Sequence, residues 1–378
     1  MSSSSLSRTP LPARAAAIAA AALLGGAVLT ACGSEDGSGE GATATGPTVV
    51  ASTSVYADIA EQVAGDNATV EAVISDPAAD PHSYEASPAD AAAVSGADLV
   101  VYNGAGYDSF VDRALENAAD VPVVRAVDEY ERVTGESIAE HSHGDDHGAD
   151  EHGANDHGAD DHGHDDDHGA EGGHGAEDGH DGHGSDDDHA GHDHASDTNE
   201  HVWFSLPTAA AVAERVAEEL AAIDEENAEE YRENADRFAD SLAPLEAELD
   251  AIHDRGHFPY AQTERVGAHL FDAAHMVDLT PRGFLASIED DTDPSAADLS
   301  AMLDLMGERE VAFLAFNTQT ETTVTARVRD AAESADVAVV DLTETLPEGM
   351  DYTTWMTGIV NSLSSALDGA TPVADGGH

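Results

Sequence analysis

The sequence predicts an α/β protein with two βα domains that are joined by a single long helix. Three observations predict this fold. From Thr48 onward, short apolar runs alternate with amphipathic stretches, which favours mostly parallel sheets. The same alternation starts again at Phe258. Between the two patterns, residues 225–255 carry one apolar stripe at helical spacing and would form a helix about 40 Å long.

Residues 1–31 are predicted to be a signal peptide. Two arginines precede an apolar stretch, 15–31, that is short for a membrane span. The stretch ends in Leu-Thr-Ala-Cys32-Gly, which resembles the bacterial lipobox, and Cys32 is the only cysteine. We expect lipidation of Cys32, with an ordinary secretory signal as the alternative, and a flexible tether over 32–47. The mature chain is then lipid-anchored to the bacterial cell membrane on its extracytoplasmic side.

The first domain is expected over 48–224. A Ser-Pro pair at Ser87 and Pro88 predicts the start of a helix, with serine as the cap and proline in the first turn. Another helix is expected after Pro207, where apolar residues recur every three or four positions. Four β-prone runs predict the strands: Thr48–Ser52, Val70–Ile74, Asp98–Tyr102 and Val121–Val124.

The second domain is expected over 256–368, with a polar tail at 369–378. A helix is predicted to start near Glu264, and the stretch Thr280–Pro294 is expected to be irregular. The remaining predicted strands and helices are Phe258–Thr263, Ser295–Met306, Val311–Phe316, Glu321–Ser334, Val337–Asp341 and Asp351–Leu367.

The first domain is interrupted by a His/Asp-rich insert, 140–200. It contains 14 His, 21 Asp or Glu and 13 Gly, and part of it repeats His-Gly-Ala with a period of five. It has too little apolar surface to repay the entropy of ordering, so we expect a long disordered insert. Solvation explains an acidic linker but not so many imidazoles. The composition therefore favours capture of transition-metal ions.

The charge balance excludes some classes of partner. The chain has 14 basic residues, all Arg, against 77 acidic ones, which makes nucleic acid an unsuitable partner and cations suitable ones. It has no His-Glu-x-x-His helix, nucleophile elbow or glycine-rich phosphate loop. A zinc metalloenzyme is the alternative from another class, and this absence argues against it.

Four side chains are candidate metal ligands. His82 follows the second strand of the first domain, and His201 lies just before the helix that begins near Pro207. In the second domain, Glu264 and Glu321 each follow a strand. Because open α/β sheets bind ligands beyond the carboxyl ends of their strands, these residues would face one another across the domain cleft. Two imidazoles and two carboxylates form a closed site for a divalent metal.

Three motifs resemble one protein family. Asp80-Pro81-His82-Ser83-Tyr84-Glu85, Asn103-Gly104-Ala105-Gly106 and His201-Val202-Trp203 are similar to motifs of the zinc/manganese solute-binding lipoproteins of ABC importers, cluster A-I type. The similarity extends from about Thr48 to Leu367, apart from the insert. The resemblance implies two Rossmann-like domains, a rigid connecting helix and a metal held between the domains.

The resemblance also implies ligand positions. The first two metal ligands of the family match His82 and His201. The third is His in zinc-type members and Glu in manganese-type members, and here it matches Glu264, with His269 and His275 as rivals. The fourth is a carboxylate for which Glu321 is the nearest match, although the preceding residues depart from the family pattern. Tyr107 stands where many relatives have an acidic residue.

The predicted function is capture of Zn²⁺ and its delivery to an ABC-transporter permease by a monomeric, membrane-anchored binding protein. His-rich inserts accompany zinc-type members of the family, and imidazole suits zinc. Two carboxylates would also suit Mn²⁺ or Fe²⁺, so a binding protein for those ions is an alternative. Another is a surface-tethered metal buffer in which the insert is the whole function.

Overall fold

A computed structural model describes residues 46–116, 118, 120–138 and 199–373. The predicted signal peptide, Cys32, nearly all of the tether, the insert up to residue 198 and the end of the tail lie outside these described residues. Their roles stay predictions. Within the described ranges, no helix combines the length and the apolar character that crossing a membrane requires.

The first domain contains a four-stranded parallel sheet in the order β2-β1-β3-β4. The central strand, β1, is apolar and almost wholly buried, as expected when helices cover both faces of a parallel sheet. The strands are β1 (Thr48–Thr53), β2 (Thr69–Ile74), β3 (Leu99–Tyr102) and β4 (Val123–Arg125). The helices are α1 (Ser54–Ala64), α2 (Pro88–Gly96), α3 (Ser109–Leu115), α4 (Ala126–Thr134) and α5 (Leu206–Ile223).

The second domain repeats this strand order as β6-β5-β7-β8, again all parallel. The two sheets confirm the predicted fold class. The strands are β5 (Pro259–Gln262), β6 (Val277–Asp278), β7 (Phe313–Asn317) and β8 (Ala338–Leu342). The helices are α7 (Ala268–Ala273), α8 (Arg282–Glu289), α9 (Ala296–Glu308), α10 (Thr323–Ser334) and α11 (Tyr352–Ala366).

The long helix α6 (Ala228–Asp254) separates the two βα patterns, inside the range 225–255 given by the sequence analysis. It contains 27 residues and continues through Pro244. Its buried stripe belongs to an apolar cluster that includes side chains of both domains. The two domains therefore share one core along α6. The stripe comprises Tyr231, Phe238, Leu242, Leu245, Leu249 and Ile252.

Some predicted elements differ from the structure. The stretch 280–294, expected to be irregular, contains α8, because Phe284 and Ile288 bury one face of a helix beside α9. The helix expected from Glu264 begins only at Ala268, after a turn. Helix α4 and the two-residue strand β6 were not predicted from the sequence.

Candidate metal centre

The carboxyl ends of the strands bring three metal-ligating side chains together. His82 lies in the loop after β2, His201 precedes a short 3-10 helix (Val202–Phe204), and Glu344 follows β8. One ligand atom from each lies within 4.8 Å of the others. The two histidines come from the first domain and the glutamate from the second. The cluster therefore joins the two domains.

Glu344 is the centre of this cluster. Its Oε2 atom lies 3.2 Å from His82 Nε2 and 3.7 Å from His201 Nε2. The side chain of Glu344 has no exposed surface, whereas 7% of His201 and 41% of His82 is exposed. An ion could therefore reach the cluster from the His82 side. Two imidazole nitrogens and a carboxylate oxygen form a donor set that suits zinc and other divalent transition metals.

Neutral donors hold the Glu344 carboxylate in place. Tyr107 donates its hydroxyl hydrogen to Oε2 at 3.2 Å, and the Asn317 amide donates to Oε1 at 2.8 Å. The backbone N–H of Glu344 donates to the side-chain carbonyl of Gln319. The Gln319 amide in turn donates at 3.0 Å to the carbonyl of Ala79, in the loop that carries His82. The carboxylate and the His82 loop are thus positioned by a shared set of hydrogen bonds.

Asn199 orients His201. Its Oδ1 atom lies 2.8 Å from His201 Nδ1 and also accepts the backbone N–H of His201 at 3.2 Å. An amide oxygen can only accept, so Nδ1 carries the hydrogen and Nε2 presents its lone pair to the cluster. His201 Nε2 is buried and has no hydrogen-bond partner within the described part of the chain. Such an atom is available to a metal ion.

The surroundings raise the pKa values of both histidines. Burial alone would lower the pKa of His82, but its contact with Glu344 and the charges of Glu344, Glu200 and Asp80 raise it to about 9. Burial would also lower the pKa of His201, but its contact with Glu344 and the charge of Glu200 outweigh that effect and raise the pKa. His82 therefore carries a proton near neutral pH in the metal-free site.

The two imidazoles have the opposite effect on Glu344. Burial would raise its pKa, but contacts with His201 and His82 hold the pKa of this carboxyl well below its usual range. The carboxylate is consequently ionised at any physiological pH. The raised pKa values of the two histidines and the lowered pKa of Glu344 are both typical of a site that binds positive charge.

Glu264 lies next to the cluster but outside the set of atoms within 4.8 Å. Thr320 donates its hydroxyl hydrogen to Glu264 Oε1 at 2.5 Å, and the Asn317 amide donates to Oε2. Because the Asn317 amide also donates to Glu344, it links the two carboxylates. Burial raises the pKa of Glu264, the main effect among several. Its role as a ligand stays a prediction.

The structure does not bring Glu321 to the cluster. It follows β7, as the sequence analysis expects, but it is exposed in the segment before α10. Glu344 supplies the carboxylate instead, from the end of the neighbouring strand β8. Glu344 was not among the predicted ligands. The rule that ligands lie beyond strand ends, applied to β8 as well as β7, would have made it one candidate among several acidic residues.

The two rivals of Glu264 have other surroundings. His269 Nε2 lies 3.0 Å from the Asn199 carbonyl oxygen, and the ring packs on Tyr130 at 4.8 Å. Burial lowers the pKa of His269. His275 is exposed and lies beside His253 and His257 instead. Neither rival belongs to the cluster around Glu344.

Comparison with known proteins identifies the family. A family model described as ZnuA, zinc-uptake complex component A, periplasmic, matches residues 49–366. The chain belongs to the ZnuA family. This match confirms the family resemblance of the motifs around His82, Asn103 and His201. The family and the relatives described below are binding proteins and not enzymes, in agreement with the prediction that the chain is not a metalloenzyme.

Curated relatives of this ZnuA-family chain are named for different metals. The manganese-binding lipoprotein MntA of Halalkalibacterium halodurans is 36% identical over 97 residues, which is 26% of this chain and 32% of that protein. The zinc-binding lipoprotein AdcA of Streptococcus pneumoniae is 22% identical over 264 residues, 68% of this chain and 42% of that protein. The matched segments thus span less than half of each relative.

Solved structures share the fold. The periplasmic zinc binding protein TroA from Treponema pallidum has a TM-score of 0.60 at 14% identity, with 85% of this chain and 99% of that chain covered. FpvC from Pseudomonas aeruginosa, solved in complex with Mn²⁺, has a TM-score of 0.58 at 16% identity, with 86% and 99% covered. At these identities the similarity establishes the two-domain architecture alone.

Proposed function

We propose that this chain is an extracytoplasmic solute-binding protein that captures a divalent transition metal, foremost Zn²⁺, and delivers it to an ABC importer. The observation that carries the proposal is the convergence of His82, His201 and Glu344 from both domains within 4.8 Å. Membership of a family of zinc-uptake components supports it. The transported ion is the cargo of this site and not a cofactor.

Capture exchanges a proton for the ion. In the metal-free protein His82 carries a proton that faces the Glu344 carboxylate. An arriving ion takes the place of this proton, and the carboxylate neutralises part of the charge of the ion. Tyr107 and Asn317 donate to Glu344 without adding positive charge, so the carboxylate keeps its negative charge for the ion.

The choice of zinc rests on the donor set. Imidazole nitrogen favours Zn²⁺ over Mn²⁺, and the Irving–Williams order favours it at any given N/O site. Adding Glu264 to the three converging residues would make a harder set, which keeps Mn²⁺ or Fe²⁺ as the second candidate. The name of MntA as a manganese-binding lipoprotein supports that candidate, and the name of AdcA supports zinc.

A pair of matched substitutions tests the proposal. We expect Glu344→Gln to weaken zinc binding by at least about 100-fold, since removing the charged partner of a divalent ion costs several kcal/mol. Glu321→Gln removes the same charge at an exposed position and should leave the affinity unchanged. Both variants are titrated with zinc against a fluorescent chelator, and the titration is repeated with Mn²⁺.

Equal affinities for the two variants would refute the assignment of Glu344. The Irving–Williams order predicts weaker binding of Mn²⁺ than of Zn²⁺. Binding of Mn²⁺ at least as tight as that of Zn²⁺ would favour the second candidate. Thermal unfolding without metal serves as the control for folding, because a loss of affinity is informative only where the variant retains the native transition.

The remaining features of the proposal concern regions outside the described residues. Lipidation at Cys32 would tether the protein to the membrane, and the insert would raise the local zinc concentration and pass ions to the cleft. We also propose that the protein is a monomer and that an ABC-transporter permease accepts the ion from it. The lipoprotein names of MntA and AdcA support the tether.

A further inference from the structure

A second group of histidines lies outside the cleft, at the amino ends of two strands of the second sheet. His253 is in the last turn of α6, His257 precedes β5, and His275 precedes β6. Strands β5 and β6 pair in parallel with Pro259 opposite Val277, so His257 and His275 occupy matching positions two residues before the pair. The C-terminal end of α6 brings His253 to the same place.

The three rings are close to one another. Their centroids are 4.1 Å apart for His253 and His275, 5.6 Å for His253 and His257, and 6.3 Å for His257 and His275. Two imidazoles on one tetrahedral zinc have centroids about 5 Å apart, given zinc–nitrogen distances of about 2.0–2.1 Å. The observed separations lie on both sides of that value.

One further feature distinguishes this group from a chance surface cluster. The Nδ1 atom of His253 is buried without a hydrogen-bond partner in the described part of the chain. His275 has a φ of 52° because it ends α7, where its N–H donates to the Asp272 carbonyl and the N–H of Met276 donates to the Phe271 carbonyl. The end of α7 places the ring of His275 beside that of His253.

We propose that His253, His257 and His275 form a second transition-metal site, which binds one Zn²⁺ or similar borderline ion through three imidazoles and water. Three neutral nitrogen donors suit zinc, copper or nickel and not manganese. Among the described residues, the ligand atoms of the cleft cluster alone converge within 4.8 Å, so binding here requires the rings to turn about their side-chain bonds. His275 is exposed and His257 half-buried, which leaves room for that rotation.

A bound ion would tie the end of α6 to the amino ends of β5 and β6. The site would be independent of the cleft, since it uses the amino ends of the strands and the cleft uses their carboxyl ends. Its occupancy and that of the cleft can therefore be measured separately in one protein.

The test is zinc protection of individual histidines in the full chain. Diethylpyrocarbonate modifies free imidazoles, and peptide mass spectrometry reports the rate at each residue. At a zinc concentration ten times the dissociation constant, we expect modification of all three histidines to slow about tenfold together. Unchanged rates at every zinc concentration that the protein tolerates would overturn the proposal.

Substitutions separate a shared site from three independent effects. His275→Asn keeps a side chain that accepts the left-handed backbone and removes one ligand, so zinc should no longer protect His253 and His257. Persistent protection in this variant would overturn the shared site. If His275→Asn fails to fold by circular dichroism, His257→Gln provides the same test.

The same experiment measures zinc protection of the cleft histidines, His82 and His201. Glu344→Gln should leave the protection of His253, His257 and His275 intact while it removes the protection of His82 and His201. The opposite pattern, in which the three histidines lose protection with the cleft, would show that they do not bind an ion of their own. Failure of either site is thus distinguishable from failure of the other.

Discussion

Asn199 determines how His201 presents itself to an ion. It accepts the Nδ1 hydrogen of His201 and also contacts the second domain, where its amide donates to the Arg265 carbonyl at 3.1 Å. The His269 ring nitrogen Nε2 lies 3.0 Å from the backbone carbonyl oxygen of Asn199. One side chain therefore fixes the tautomer of a candidate ligand and attaches it to the opposite domain.

Replacing this residue should weaken metal binding without removing a ligand. We expect Asn199→Ala to lower the zinc affinity about tenfold or more, because partners that orient ligating histidines contribute that much. Asn199→Asp keeps the acceptor and should retain most of the affinity. The exposed Asn361→Ala is the control. Equal affinities in all three variants, measured by chelator competition, would contradict the role of Asn199.

The raised pKa of His82 predicts a dependence on pH. Since this imidazole is protonated up to about pH 9 in the metal-free protein, zinc must displace a proton below that pH. The proton displaced from His82 should make the zinc affinity rise by about tenfold per pH unit between pH 6 and pH 9, and the rise should be steeper where His201 is also protonated. Retention should be weakest below about pH 6, where imidazoles are protonated even without the influence of Glu344.

The stability of the metal-free protein should change in the opposite direction. The pKa of His82 is raised above its usual value of 6.5, so the charged imidazole stabilises the folded state below pH 6.5. That contribution is lost as the pH rises towards 9. Zinc titrations and thermal unfolding across this range check both statements, with His82→Asn as the variant that lacks this titration. An affinity that stays constant from pH 6 to pH 9 would argue against histidine ligation.

At the level of elements, the alternation of strand and helix patterns and the spacing of apolar residues predicted most of the fold. Each of these elements has a clear apolar face that must be buried against the others. Helix α8 was not predicted because the segment 280–294 is rich in Asp, Pro and Gly, and its Phe284 and Ile288 become buried only beside α9. Strand β6 was not predicted because two residues carry no alternating pattern. Such elements exist through their tertiary contacts.

The same reasoning explains which ligands were predictable. His82 and His201 occur in motifs and follow the rule for strand-end loops. Glu344 occurs in Thr343-Glu344-Thr345, which has no local feature that distinguishes it from other acidic residues in a chain with 77 of them. Its position depends on contacts between domains, such as that of Gln319 with the Ala79 carbonyl. Only the assembled fold displays those contacts.

The insert is the element whose role is most open to test. We expect deletion of 141–194 to leave one tight zinc site, because none of the three converging ligands lies in that segment. The sites that the insert supplies should disappear, and uptake at limiting zinc should fall. If deletion changes neither uptake nor the number of ions bound, the proposed role of the insert is wrong. If no tight site remains, the protein is a buffer and not a carrier.

At the level of the whole molecule, the architecture accounts for the position of the site. Two sheets with the same strand order direct their carboxyl ends to a common cleft, and the shared apolar cluster along α6 holds the domains together. A formal net charge of −63 attracts cations towards the whole surface. The buried cluster of two imidazoles and a carboxylate then distinguishes a transition metal from the more abundant hard cations.

The most direct test is the location of zinc in crystals of the zinc-loaded protein, determined from anomalous scattering at the zinc edge. The account predicts a peak in the cleft at about 2.0–2.2 Å from His82 Nε2, His201 Nε2 and a Glu344 oxygen. A cleft without a peak in protein that retains zinc, or a peak there that contacts neither histidine, would contradict it.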